Sequence, residues 1–98
     1  MTTGISMEAR VSQSSRIAAR VVDGKAVVVI IDTQALHTLN EVGTFVWELL
    51  EESSRSVSEL VDSVEASFEV ERTRAQADLL SFLGQMSELG ALEVEEAA

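Results

Sequence analysis

The sequence predicts an α+β domain of winged helix-turn-helix type, with a three-stranded antiparallel sheet followed by three helices. Two observations predict it. Apolar positions form strand-like runs from Ile17 to Thr38 and change to helical spacing after Asn40. Apolar residues make up 46% of the 98 and charged residues 24%, the balance of one folded domain with a single core rather than of a disordered chain.

The strands come first. Ile17 to Val22 is rich in β-branched residues and runs into Asp23-Gly24, a dipeptide with ready access to positive φ that suits a two-residue hairpin turn. Lys25 to Ile31 makes the second strand. Its Val-Val-Val-Ile-Ile run lacks alternation, so both of its faces are expected to be covered. After the polar break Asp32-Thr33-Gln34, Ala35 to Thr38 is a third, short strand at an edge.

Asn40 is a favoured N-cap residue, and behind it Val42, Phe45, Val46, Leu49 and Leu50 recur at helical spacing to about Glu52. Gly43 weakens that helix and marks a close approach of its backbone to a neighbour. Trp47, off the main stripe, is expected to close the far side of the core. Ser53-Ser54-Arg55 reads as a loop. Ser56 and Glu59 have the spacing of a capping box and open a second helix, to about Ser67, that buries Val57, Leu60, Val61 and Val64. A third helix is expected from Thr73, with Gln76 completing another capping box, to a left-handed Gly90. Its core stripe reads Ala75, Leu79, Phe82, Leu83, Met86 and Leu89, and Ala91-Leu92 folds back onto the core. The expected division is a flexible segment over 1–15, a folded domain over 16–92 and a frayed acidic tail over 93–98.

Charge and composition exclude several functions. The net charge is −10, and Glu41 to Ala98 carries three basic residues against fourteen acidic ones, so the helices lack the cations with which a nucleic-acid reader approaches phosphates. Arg72 and Arg74 stand only at the head of the third helix. There is no cysteine and one histidine, His37, so no metal site, bound cofactor or thiol nucleophile is expected. Acidic residues are plentiful without a cluster that organises catalysis, so the chain is not read as an enzyme. The start, Met1 to Val11, has no signal-peptide pattern and no apolar run is long enough for a membrane span, which makes cytoplasmic the default location. Asp62-Ser63-Val64 resembles the modification site of acyl carrier proteins, but Ser63 falls within a helix after a β-rich front, and that reading is set aside.

Together, several of these residues resemble the PqqD family, small domains also called RiPP recognition elements. The resemblance rests on Asp23-Gly24 before the apolar strand, Leu39-Asn40 with Val46-Trp47-Glu48-Leu49-Leu50, and Ser56-Val57-x-Glu59-Leu60. Asp78-Leu79-x-x-Phe82-Leu83 and Leu89-Gly90-x-Leu92 complete it. It spans about Arg16 to Leu92, and departs from the family pattern at Gly43, usually Ala, and at Glu51-Glu52-Ser53-Ser54, where an Asp-Gly turn is frequent. The resemblance implies a non-catalytic peptide chaperone. Such a domain binds the leader segment of a ribosomally made precursor peptide for a separate modifying enzyme: a radical SAM enzyme, a leader protease or a macrocyclase.

The implied binding mode adds the leader as a strand along Ala35, Leu36, His37 and Thr38, in a groove between that strand and the third helix. Ala77, Leu80 and Gly84 lie off the core stripe and are expected to face the groove. His37 is expected to be a partly exposed strand residue within reach of the peptide. A monomer or homodimer fits this use, with neither nucleic acid nor membrane as a partner. The alternative on the same topology is a winged-helix DNA-binding or regulatory interaction protein.

Overall fold

Asp23 and Gly24 both adopt positive φ, 54° and 79°, and turn Val22 back against Lys25 as the dipeptide requires. The computed structural model describes residues 5–96. In chain order its elements are β1 (Arg10–Gln13), β2 (Ile17–Val22), β3 (Lys25–Ile30), β4 (Ala35–Thr38), α1 (Glu41–Glu52), β5 (Arg55–Ser56), α2 (Val57–Ser67), α3 (Arg72–Leu89) and β6 (Leu92–Glu95). The expected meander is present as an antiparallel sheet of order β2-β3-β4.

A second sheet joins it, of order β5-β1-β6, antiparallel throughout. Here the expected boundaries give way. Within the segment 1–15, expected to be flexible, Arg10–Gln13 is the central strand of this sheet, with Ala9 and Val11 fully buried. Within the tail 93–98, expected to be frayed, β6 continues to Glu95, pairing Leu92 with Gln13 and Glu95 with Arg10. Residues 1–4 and 97–98 lie outside the described residues. The loop read at Ser53-Ser54-Arg55 likewise ends in β5, which pairs with β1.

Local caps set the helices. Asn40 accepts from the Gly43 N–H at 2.8 Å and so satisfies one orphan donor of α1. The buried Thr44 hydroxyl accepts from the Ala26 N–H at 2.8 Å, tying α1 to β3. Ser56 and Glu59 form both bonds of the capping box at the head of α2. The box expected at Thr73 and Gln76 is absent, because α3 begins earlier, after Glu71, which caps without a side-chain bond. Gly90, at φ 86°, closes α3 in the left-handed conformation.

One core joins all three helices to both sheets, and Trp47, Leu60, Leu83 and Leu92 are its largest fully buried side chains. Two readings of its periphery need correction. Only Ala26, Val28 and Ile30 of β3 are buried, while Val27 and Val29 are half-buried on the opposite face, so β3 is not covered on both sides. On α3 the buried stripe is Ala75, Leu79, Leu83 and Met86; Phe82 is half-buried at its flank and Leu89 is exposed.

Candidate functional site

Among the described residues β4 pairs with β3 on one side only, which leaves its other edge open. The Leu39 N–H donates to the Ala26 carbonyl at 2.8 Å, continuing the β3–β4 ladder by one pair. Antiparallel hydrogen bonding alternates, so Ala35, His37 and Leu39 direct their backbone groups at β3. Leu36 and Thr38 therefore turn theirs to the open edge.

The chain leaving this edge enters the wall of an apolar hollow of about 210 Å³. Its walls come from α1 (Val42, Gly43, Val46), from the α2 end and the following loop (Val64, Phe68, Val70) and from α3 (Ala75, Leu79, Phe82), with Asn40 and Asp78 as its polar members. Gly43 is what lets α1 and α3 meet here. A Cβ at that position would sit 3.1 Å from the Phe82 ring, 3.2 Å from Asn40 Oδ1 and 3.3 Å from Leu39 Cβ. The close approach expected of this glycine is thus to α3 and to the residues that follow β4.

The structure brings some of the sequence-derived residues together and separates others. Ala35 to Thr38 form the strand with the open edge, Ala35 and His37 half-buried on its inner side, Leu36 and Thr38 exposed on the outer. His37 Nε2 is buried and has no hydrogen-bond partner among the described residues. Ala77, Leu80 and Gly84 are not among the residues lining the hollow. At about 100° per residue they lie at least roughly 120° around α3 from the direction midway between Asp78 and Phe82. The flank of α3 next to the end of β4 is therefore that of Asp78 and Phe82, which sequence reasoning had placed in the family motif and, for Phe82, in the core. Gly43 was the available signal, since a close approach to its helix needed a partner.

Charge around the site is mostly acidic and partly tied up. Arg72 bonds Asp62 and Glu65, and Arg74 bonds Asp78, so both arginines of the third helix are engaged by carboxylates rather than offered to phosphates. At the far end of the meander the Arg16 guanidinium, hydrogen-bonded to Asp32, holds that carboxyl below the usual carboxylate range. No group of three or more His, Cys, Asp or Glu that could hold a metal occurs among the described residues, and none of their helices is long and apolar enough to cross a membrane.

An open strand edge beside an apolar, helix-lined hollow is the geometry that strand addition of a peptide uses. The chain belongs to the PqqD family: the family model described as coenzyme PQQ synthesis protein D (PqqD) matches residues 25–92. Among solved structures it is similar to TbiB1 in complex with the TbiA(beta) leader peptide, at 29% identity and a TM-score of 0.78 over 84% of this chain and 94% of that one. It shares its fold with lasso peptide synthetase B1 complexed with the leader peptide, at 20% identity and a TM-score of 0.72 over 85% of this chain and 96% of that one. No curated protein sequence matches the chain.

Proposed function

We propose that this protein is a non-catalytic recognition module that binds the leader of a ribosomally made precursor peptide as an added strand on β4 and presents the remainder to a separate modifying enzyme. The observation that carries the reading is the open β4 edge leading into the hollow between α1 and α3. Membership of the PqqD family and the likeness to TbiB1, itself in complex with a leader peptide, support it. Leu36 and Thr38 supply backbone donors and acceptors that fix the register of the leader, while the hollow takes an apolar leader side chain. The acidic helices favour neutral or basic leaders over acidic ones.

The test is a titration with synthetic leader peptides, the TbiA(beta) leader that TbiB1 holds being the first probe. Amides of residues 35–38 and of α3 near Phe82 are expected to shift together in NMR spectra. Thr38→Pro removes one outward N–H without touching the β3 ladder, and weakens binding by roughly tenfold, the loss of one backbone bond. Phe82→Glu weakens it at least as much, and His37→Glu weakens it less. Leu80→Glu, on the other flank of α3, serves as the control. Shifts confined to Ser53–Ser56, or unaltered binding by both Thr38→Pro and Phe82→Glu, would overturn the reading.

A further inference from the structure

The β2-β3-β4 sheet has a second face that the peptide site does not use. Register puts Ala18, Val29 and Leu36 in one cross-strand row of that face and Arg20, Val27 and Thr38 in the next, with Val22 opposite Lys25 beyond them. The Ile31 N–H donates to the Arg16 carbonyl at 3.1 Å, which extends the β2–β3 ladder and turns Ile31 the same way. An antiparallel sheet with one solvated face ordinarily alternates apolar with polar residues. This one does not. Leu36 is 61% exposed, Val22 47% and Ile31 46%, and Val27 and Val29 are half-buried between them. A continuous exposed apolar face of this kind marks an interaction surface.

Its charge is opposite to that of the rest of the chain. Arg20 and Lys25 stand on it, and among the described residues neither forms an ion pair, in a chain of seventeen acidic and seven basic side chains. Of the two acids on this meander, Asp32 is bound to Arg16 and Asp23 sits in the turn. We infer that this outer sheet face, built from Val22, Val27, Val29, Ile31 and Leu36 and edged by Arg20 and Lys25, docks a partner protein presenting an apolar patch ringed by carboxylates. Resting on the function proposed above, that partner is the modifying enzyme.

Two other occupants fit less well. A second copy would bring Arg20 and Lys25 of both chains together with no unengaged carboxylate on either strand to offset them. An anionic membrane surface would attract the two cations but repel a chain of net charge −10. A protein partner also leaves the peptide site accessible, since the face lies across the sheet from α1 and from the hollow. Leu36 belongs to both surfaces: its backbone faces the open edge and its side chain the outer face. A leader paired with β4 would therefore extend the docking face by one strand, and the enzyme would meet the peptide at that seam.

The test uses the purified modifying enzyme that acts on the bound precursor, immobilised and titrated with the full chain. Two variants are compared with the parent, Arg20→Glu/Lys25→Glu, confined to exposed positions, and Val29→Ser; circular dichroism checks the fold of each. Enzyme affinity is expected to fall by roughly tenfold or more in both, while leader affinity stays within about twofold of the parent. Unchanged enzyme affinity in the charge-reversed variant would overturn the inference. So would a parent dimer in sedimentation that Val29→Ser dissociates, or retention on phosphatidylglycerol vesicles that charge reversal abolishes. Failure of the parent to bind the leader at all would instead sink the function proposed above, and the enzyme titration would still be read by itself.

Discussion

Phe82 and Leu83 are sequence neighbours with different tasks. Leu83 is fully buried in the core, and Leu83→Ala is expected to lower unfolding free energy by about 2 to 5 kcal/mol in denaturant titrations. Phe82 is half-buried at the hollow, so its truncation costs less stability and more leader affinity. Leu80→Ala, a half-buried residue on the other flank, costs clearly less than Leu83→Ala. Gly43 makes the complementary test. With contacts of 3.1 to 3.3 Å already waiting for a Cβ, Gly43→Leu is expected to fill the hollow, abolish leader binding and destabilise the domain by about 1 to 3 kcal/mol.

Among the elements, α2 depends most visibly on its cap. Ser56→Ala removes the side-chain acceptor for the Glu59 N–H, at 3.1 Å, and is expected to cost about 1 kcal/mol. The Ser56 backbone N–H, donating to Glu59, holds its carboxyl below the usual carboxylate range, and the Arg10 charge adds to this. A carboxyl lowered on folding stabilises the fold fully above its unfolded pKa, and that contribution is lost as pH falls through the folded value. Glu59→Gln should therefore lie below the parent in stability at neutral pH and converge with it in acid, as urea midpoints across the acidic range would record. A gap that widened on acidification would contradict this sign.

For the whole molecule, the second sheet decides what can be removed. β1 is hydrogen-bonded on both sides, to β5 and β6, and carries the buried Val11 beside Ala9. Deleting residues 1–15 is therefore expected to destabilise the domain by at least about 3 kcal/mol, since burial of one Val-sized side chain alone contributes about 1.5 to 3 kcal/mol and the sheet loses its centre. Thermal unfolding of the shortened chain checks this. A midpoint equal to that of the full chain would mean that the second sheet adds nothing. Stopping the chain after Leu92 is expected to do less harm, because the buried Ala91 and Leu92 remain and only the outer β6 pairs are lost.

What the sequence determined by itself were features specified by neighbours in the chain. Asp23-Gly24 dictates the hairpin, Asn40 and the Ser56–Glu59 pair start two helices, Gly90 ends the third, and helical spacing marks Leu79, Leu83 and Met86 as core. The short edge strand Ala35–Thr38 was legible too, between a polar break and a cap. Only the tertiary structure decided that Arg10–Gln13 and Leu92–Glu95 are strands. Each is four residues long: Arg10–Gln13 is mostly polar, Leu92–Glu95 alternates over only two apolar positions, and each is held by a partner from the opposite end of the chain, so the local signature is too short to mark a strand. It also decided which flank of α3 lines the hollow beside β4. Periodicity locates a buried stripe but treats Phe82 on one side and Leu80 on the other alike; the approach of α1 at Gly43, a contact between distant segments, separates them.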